Sequence, residues 1–172
     1  MPTFEFRPLT EADLPLLCTW LNRPHLQQWW RRGTITRDEV RDKYLPRIAG
    51  PDAARPYLAY LDGHPAGYVQ YYRAAEGSDD WWPDEPGAGV LGIDQFLADG
   101  GRLGQGLGTA MVAQFAAFLM ADPTVTEIRV DPHPDNTRAI RCYARVGFRE
   151  VGPITTPDGP ALMMVLGRHD EG

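Results

Sequence analysis

Three glycines at alternate positions are the residues of this chain with the clearest chemical meaning. Gly104, Gly106 and Gly108 lie in the stretch GGRLGQGLGTAMVAQFAAFLM, residues 100–120. Because glycine has no Cβ, the backbone there can turn tightly and bring bare N–H groups against a ligand. From Thr109 the apolar residues follow helical spacing, so the free N–H groups of the first helical turn point back into the loop. Such a loop typically binds an anionic oxygen, most often a phosphate.

Two common phosphate-binding loops are excluded by the spacing. A Walker A loop ends in Gly-Lys-Ser or Gly-Lys-Thr, whereas this chain has Gly108-Thr109-Ala110. The dinucleotide fingerprint needs Gly or Ala three residues after its second glycine, where this chain has Thr109. The stretch is therefore either a phosphate cradle of another kind or a flexible loop before a core helix.

The acidic residues are concentrated in one segment. Between Arg73 and Arg102 there is no lysine or arginine, and the acids there are Glu76, Asp79, Asp80, Asp84, Glu85, Asp94 and Asp99. Such a segment focuses a negative potential and attracts cations. Trp81 and Trp82 are interleaved with the acids, and sugars and cationic rings bind to that combination. The alternative is a solvated acidic loop above packed tryptophans. Nucleic acid is disfavoured as a partner because the net charge is −6.

Length and composition indicate one domain over residues 1–172. The chain is 43% hydrophobic and 23% charged, as is ordinary for a globular protein with a real core. Cys18 and Cys142 belong to no Cys-x-x-Cys motif, and the four histidines show no metal-ligand spacing, so we expect neither a disulfide nor a metal. No signal peptide or membrane span is apparent, which makes a cytoplasmic protein, monomeric or homodimeric, the default expectation.

The secondary structure that must position these residues is predicted from periodicity and turn signals. Strands are expected at 4–8, 56–61, 65–72, 90–96, 127–130, 148–154 and 161–166. A first helix carries Leu14, Leu17 and Leu21, and a second is expected from the Thr36 capping box to about Leu45. The glycine-loop helix and a helix from 137 complete the order β-α-α-β-β-β-α-β-α-β-β.

A second motif, NTRAIRCYARVGF at residues 136–148, follows the glycine loop. Asn136 is the predicted N-cap, Ile140 and Tyr143 share a helical face, and Gly147 stands at the C′ position. Together the two motifs resemble the Gcn5-related N-acetyltransferase (GNAT) superfamily. The resemblance implies an α/β GNAT acyl-CoA N-acyltransferase fold, in which a mixed central sheet with splayed strands is flanked by helices.

In that superfamily the glycine loop holds the pyrophosphate of acetyl-coenzyme A, and the tyrosine lies near the thioester sulfur. The resemblance therefore implies acetyl-coenzyme A as co-substrate, bound by Leu103, Gly104, Gln105, Gly106, Leu107, Gly108, Thr109, Asn136, Arg141 and Tyr143. Leu103 stands where a glutamine or arginine is usual, so one side-chain contact would differ while the backbone cradle is kept.

A closer resemblance extends over nearly the whole chain. The strings Tyr44-Leu45-Pro46, Gly92-Ile93-Asp94-Gln95 and residues 155–161 (TTPDGPA), among others, look like the aminoglycoside 6′-N-acetyltransferases. In those enzymes the matching residues line the drug pocket: Trp30, Tyr44, Gln70, Tyr72, Asp79, Trp82, Asp94, Asp131 and Asp158. Departures beside these positions are Arg31, Arg32, Tyr71 and Arg73, which could change which drugs fit.

The resemblance and the charge pattern lead to the same expected reaction, which is transfer of the acetyl group of acetyl-coenzyme A to the 6′-amino group of an aminoglycoside. A carboxylate about 4 Å from an ammonium group is worth on the order of 4 kcal/mol at an effective dielectric of 20, so several carboxylates would bind an aminoglycoside tightly. Asp94 is the first candidate for orienting the amine and taking its proton, directly or through water, and Asp131 is the second. Tyr143 would hydrogen-bond or protonate the departing thiolate. The alternatives are a GNAT enzyme acting on a polyamine or protein amine, and a non-catalytic binding module.

Overall fold

One mixed sheet organises the structure. The computed structural model describes residues 1–50, 53–77, 81–82, 84 and 86–168. Within these residues the strands are β1 (Phe4–Pro8), β2 (Arg55–Leu61), β3 (His64–Arg73), β4 (Val90–Leu97), β5 (Glu127–Val130), β6 (Arg149–Thr156) and β7 (Gly159–Gly167). Their order in the sheet is β1-β2-β3-β4-β5-β7-β6. Only the β4–β5 pair is parallel among the pairings described, which makes the sheet mixed as expected.

Helices cover both faces of this sheet. In the described part of the chain they are α1 (Leu14–Leu21), α2 (Pro24–Trp29), α3 (Arg37–Ala49), α4 (Leu107–Met120) and α5 (Thr137–Val146). The predicted caps are present: Thr36 Oγ1 accepts a hydrogen bond from the Glu39 N–H, and Asn136 Oδ1 accepts one from the Ala139 N–H. Gly147 ends α5 with φ of +118°, a conformation that favours glycine.

Two helix boundaries differ from the prediction. The short helix α2 was not expected; it begins at Pro24, whose fixed φ suits the first position of a helix. Helix α3 was predicted to stop near Leu45 because Pro46 follows, but it continues to Ala49. Pro46 lies in its last turn, where the one backbone hydrogen bond that proline removes is tolerated. As a consequence, Arg47 lies on the same helical surface as Lys43 and Tyr44.

The core has one layer on each side of the sheet. On one face, α4 buries Met111, Val112 and Phe115 completely against strand residues such as Ile128 and Met164. On the other face, α1 and α3 pack over a second cluster with Leu21, Tyr44, Leu58, Tyr68 and Phe96. Each fully buried side chain of this size contributes about 1.5–3 kcal/mol. The apolar stripe predicted for the glycine-loop helix is therefore correct, although α4 begins two residues earlier than Thr109.

The centre of the sheet opens because β4 and β5 pair only at their beginnings. Their parallel ladder joins Val90, Leu91 and Gly92 to residues 127–129, and β5 then ends at Val130. β4 continues to Leu97 and keeps its antiparallel pairing with β3 over that whole length. From Ile93 onward the backbone edge of β4 therefore faces a gap. This divergence is the splayed arrangement that the sequence resemblance implied.

None of the helices in the described part of the chain has the length and apolar composition needed to cross a membrane.

The pairing of Gly92 with Tyr72 provides a stability test. The two residues lie opposite each other in β4 and β3, and a Cβ added at Gly92 would lie 2.3 Å from Tyr72 Cζ. We expect Gly92→Ala to lower the free energy of unfolding by about 1–3 kcal/mol, because the ring must leave its position. Urea denaturation of Gly92→Ala and of Gly87→Ala, whose added Cβ meets open space, would measure this. Equal stability of the two variants would contradict it.

Candidate active site

A cleft of about 290 Å³ separates the glycine loop from β4 and α5. Gly104 and Gly106 have φ of +76° and +82°, in the region where glycine is favoured, and this curls the loop around the start of α4. Gly106 is the N-cap of α4 and has no side chain to accept from the first-turn N–H groups. These donors and the positive end of the helix dipole are therefore available to an anion in the cleft.

The predicted cofactor residues divide into two groups. Those that line the cleft are Leu103, Gly104, Gly106, Gly108, Thr109, Asn136 and Tyr143. The other three lie elsewhere among the described residues: Gln105 is exposed and donates to the Gly101 carbonyl, Leu107 is buried in the core, and Arg141 is exposed. Arg138 and Arg145, two helical turns apart, line the cleft instead. Arg141 was predicted instead of these two, because the sequence alone does not show which surface of α5 faces the loop.

Tyr143 forms the inner end of this cleft. Its ring packs against Phe148 with centroids 5.4 Å apart, and its hydroxyl accepts a hydrogen bond from Gln95 Nε2 at 3.3 Å. Burial raises the pKa of the phenol well above its usual range, and the nearby acids raise it further. The hydroxyl is therefore protonated at neutral pH and can act as a hydrogen-bond donor or acid.

A larger cavity of about 990 Å³ lies on the other side of the gap. Carboxylates and aromatic side chains dominate its wall: Trp29, Trp30, Tyr72, Trp81, Trp82, Asp84, Asp94, Asp131 and Asp158. Five residues line both cavities, namely Trp29, Trp30, Asp94, Asp131 and His133. The two spaces therefore meet at the divergence of β4 from β5, and the two carboxylates that the sequence nominated stand at the junction.

Asp94 is held by a short chain of hydrogen bonds. Gln70 Nε2 donates to Asp94 Oδ2 at 2.8 Å. The other end of the same amide, Gln70 Oε1, accepts from the Tyr68 hydroxyl at 2.6 Å and from Arg47 Nη1 at 2.8 Å. Burial raises the pKa of Asp94, while the Gln70 hydrogen bond and the Arg47 charge oppose that rise. The carboxyl is thus a stronger base than a solvated aspartate.

Asp131 follows the last residue of β5 and faces the same junction. Trp81 Nε1 donates to Asp131 Oδ2 at 2.6 Å, which fixes the carboxyl. Burial, with a smaller contribution from the negative charge of Asp94, raises the pKa of Asp131 to about 6. The hydrogen bond from Trp81 acts in the opposite direction. Two carboxyls with raised pKa values in one cleft are typical of sites that move protons or bind cations.

An arginine that was not among the predicted site residues supports the aromatic wall. Arg129 in β5 makes two parallel hydrogen bonds to Asp84, at 2.7 and 2.8 Å, and its guanidinium lies 5.2 Å from the centre of the Trp82 ring. Trp82 stacks on Tyr72 with centroids 6.0 Å apart. The signal in the sequence was an arginine between two apolar residues, Ile128 and Val130, in a predicted strand, since a buried arginine needs an acidic partner.

Most of the residues predicted to line the drug pocket lie in the wall of the larger cavity. Trp30, Gln70, Tyr72, Trp82, Asp94, Asp131 and Asp158 do so. Tyr44 does not, because it is completely buried under the side chains of Arg47 and Lys43, which lie 4.9 and 5.7 Å from its ring centre. Asp79 lies outside the described residues.

Comparison with known proteins agrees with this geometry. The family model of the acetyltransferase (GNAT) domain matches residues 10–156. Aminoglycoside N(6′)-acetyltransferase type 1 of Klebsiella pneumoniae is 47% identical over 165 residues, which cover 95% of this chain and 82% of that relative. The chain belongs to the aminoglycoside 6′-N-acetyltransferase family of GNAT enzymes.

Solved structures in this family superpose closely on the chain. The complex of AAC(6′)-Ib with paromomycin and acetyl-coenzyme A has a TM-score of 0.92 at 46% identity, covering 96% of this chain and 94% of that chain. The complex of AAC(6′)-Ib with coenzyme A and kanamycin has a TM-score of 0.90 at 47% identity, covering 96% and 95%. The GNAT fold expected from the motifs is therefore confirmed.

The proximity of the two junction carboxyls can be tested without any ligand. We expect Asp94→Asn to lower the pKa of Asp131 from about 6, because a neighbouring negative charge is removed. Carboxyl ¹³C NMR titration of aspartate-labelled protein would measure this. Asp99→Asn, the same change at an exposed position, should leave the Asp131 titration in place. An Asp131 titration that is the same in all three proteins would show that the carboxyls do not interact.

Proposed function

We propose that this protein transfers the acetyl group of acetyl-coenzyme A to the 6′-amino group of kanamycin-type aminoglycosides and so gives resistance to them. The observation that carries the proposal is the junction of the two cavities. One cavity has an anion-binding helix start, the other has a wall of carboxylates and aromatic rings, and Asp94 and Asp131 stand where they meet. The relatives named above are aminoglycoside acetyltransferases, and one solved relative holds coenzyme A and kanamycin.

The smaller cleft suits acetyl-coenzyme A. Its pyrophosphate would lie against the N–H groups at the start of α4, and Arg138 and Arg145 supply positive charge along the same cleft. The unpaired edge of β4 beyond Gly92 offers backbone hydrogen-bonding groups to the amides of the pantetheine arm. The thioester would then reach Tyr143 and the junction with the larger cavity.

The larger cavity suits a polycationic sugar. Its volume of about 990 Å³ is at the upper end of the range for small-molecule sites. Asp84 is already paired with Arg129, so Asp94, Asp131 and Asp158 are the described carboxylates left to bind ammonium groups. Flat rings such as Trp30 and Trp82 can pack against the sugar faces. Asp79, in the acidic segment, would add to the capture of the drug.

The reaction follows from the placement of Asp94 and Tyr143. Asp94 takes a proton from the 6′-ammonium group, directly or through water, and the freed nitrogen lone pair attacks the thioester carbonyl carbon. When the tetrahedral intermediate collapses, the carbon–sulfur bond breaks and Tyr143 hydrogen-bonds or protonates the departing thiolate. The nitrogen loses its second proton in this step, which restores the Tyr143 hydroxyl or passes to solvent. The product is a neutral amide, so the drug loses one positive charge. Asp131 would orient the amine and stands second as the base.

Both cavities are lined by residues of one chain. One subunit therefore binds both substrates in the proposed ternary complex, whether the protein is a monomer or a homodimer. We also propose a cytoplasmic location, where acetyl-coenzyme A is available.

The test of function is an acceptor panel with coenzyme A release as the readout, followed by NMR of the kanamycin product. We expect acetyl on the 6′ nitrogen, and a drug with hydroxyl at that position should bind but accept little acetyl. Asp94→Asn should lower kcat by roughly 10²- to 10⁴-fold with a smaller change in the drug KM. Acetyl on another nitrogen would overturn the regiochemistry, and preference for a polyamine or a protein amine would favour the second enzyme hypothesis. Binding without turnover would indicate a binding module.

The role of Tyr143 predicts a dependence on the leaving group. Tyr143→Phe keeps the ring packing against Phe148 but removes the hydroxyl, so kcat should fall towards the lower part of the roughly 10²- to 10⁴-fold range of acid catalysis. A thioester whose thiol is more acidic should lose less, because its thiolate needs less assistance. Steady-state kinetics with both thioesters would measure this, and an equal kcat in wild type and Tyr143→Phe would show that the tyrosine is only a core residue.

A further inference from the structure

A permanent cation lines the cavity proposed to receive a polycation. Arg47 is one of the residues in the wall of the larger cavity, on the same helical surface as Lys43. An arginine there repels the ammonium groups of the acceptor, since like charges at close range in a cleft cost free energy. The guanidinium donates a hydrogen bond to Gln70 Oε1 at 2.8 Å. Arg47 was not among the predicted site residues, because α3 was expected to end near Leu45.

The hydrogen bonds of Gln70 connect Arg47 to Asp94. Gln70 is buried, and its carbonyl oxygen accepts from both Arg47 Nη1 at 2.8 Å and the Tyr68 hydroxyl at 2.6 Å. An amide oxygen has two lone pairs, and both are used. If the amide were reversed, its NH₂ group would face those two donors and its oxygen would face a carboxylate. The NH₂ group is therefore directed to Asp94 Oδ2, 2.8 Å away.

We propose that Arg47 is a positioning residue for the acetyl transfer, which acts through Gln70 to keep the Asp94 carboxyl oriented and ionised for the incoming amine. This inference rests on the proposed function. Tyr68 supports the orientation of the amide, but Arg47 alone of the two donors also carries charge. Its guanidinium is anchored over the ring of Tyr44, with 4.9 Å to the ring centre, which fixes its position relative to the sheet.

Besides the cations of α3, the groups near Asp94 include acids, which act against its ionisation, and neutral tyrosines. The titratable or charged side chains that surround it come from α3 (Lys43, Tyr44, Arg47), β3 (Tyr68, Tyr72), the chain after β5 (Asp131, His133), α5 (Tyr143) and the β6–β7 turn (Asp158). Burial and the charge of Asp158 raise the pKa of Asp94, whereas the Gln70 hydrogen bond and Arg47 lower it. The tyrosines stay neutral because burial raises their pKa values.

The consequence is a defined pH dependence. Asp94 serves as a base only when it is ionised, so activity is lost as the pH falls through its pKa in the folded protein. Removal of the Arg47 charge raises that pKa, and the acid limb of the rate profile must move to higher pH. An opposite charge acting through one amide is expected to move the limb by roughly 0.5–1 pH unit, which is about a 3- to 10-fold loss of kcat on the acid limb.

The experiment compares Arg47→Gln, Arg47→Lys and Lys43→Gln with the wild type. Arg47→Gln and Lys43→Gln each remove one positive charge from the same cavity wall, but the described hydrogen bond to Gln70 belongs to Arg47. Carboxyl ¹³C NMR titration of the free, aspartate-labelled protein, with the Asp94 signal assigned by its absence in Asp94→Asn, reports the Asp94 pKa. The pH profile of kcat is measured in parallel, and the titration of the acceptor amine cancels because it is common to all variants.

We expect Arg47→Gln to raise the Asp94 pKa and move the acid limb, Arg47→Lys to restore most of both, and Lys43→Gln to lower the drug KM while the acid limb stays in place. If Arg47→Gln does not fold, Arg47→Met, which keeps the aliphatic stem over Tyr44, takes its place. An Asp94 titration that is unchanged in Arg47→Gln, or that changes equally in Lys43→Gln, would overturn the inference. A wild type that acetylates no aminoglycoside would refute the proposed function instead, because the titration needs no acceptor.

Discussion

The separation of β4 from β5 after three residue pairs is the constraint on which the rest of the site depends. Two parallel strands that stayed paired would close the sheet and leave no passage from the glycine loop to the acidic cavity. Because β5 ends at Val130, its next residue, Asp131, faces the open gap, and Asp94 faces it from β4. The continuous pairing of β4 with β3 keeps the opened sheet rigid on its other side. One strand thus supplies the gap, a wall of each cavity and the carboxyl of Asp94 at their junction.

The larger cavity combines charges of both signs, and the contacts of each charged side chain show how it is used. Arg129 is tied to Asp84 and Glu127, so its charge anchors the aromatic wall instead of repelling a cation. Arg47 is directed at Gln70. The negative charges of Asp94 and Asp131 remain at the junction, where burial strengthens their interaction with an ammonium group and raises their pKa values. The same burial that costs folding free energy therefore supplies both cation binding and basicity.

Sequence reasoning was most successful where information is local or carried by a motif. The Thr36 capping box, the buried stripe of α4 and the N-cap Asn136 depend on residues within a few positions of one another, and the structure contains each of them. The family and its fold followed from the glycine loop and the second motif. Helix α3 was predicted to end too early because proline is a strong local stop signal. In the structure, the packing of the last turn against the sheet overrides that signal.

The amino-acid sequence by itself determined the fold class, since the glycine loop and the second motif carry the family resemblance. Through that resemblance and the charge pattern it also nominated the loop, the two junction carboxyls and the tyrosine as site residues. Only the tertiary structure decided which side chains meet. It put Arg138 and Arg145 in the cleft rather than Arg141, buried Tyr44 beneath Arg47, and joined Arg129 to Asp84 across 45 positions of the chain. The physical reason is that a hydrogen bond or ion pair needs two groups within about 3 Å, and that distance is set by long-range packing of helices on a sheet.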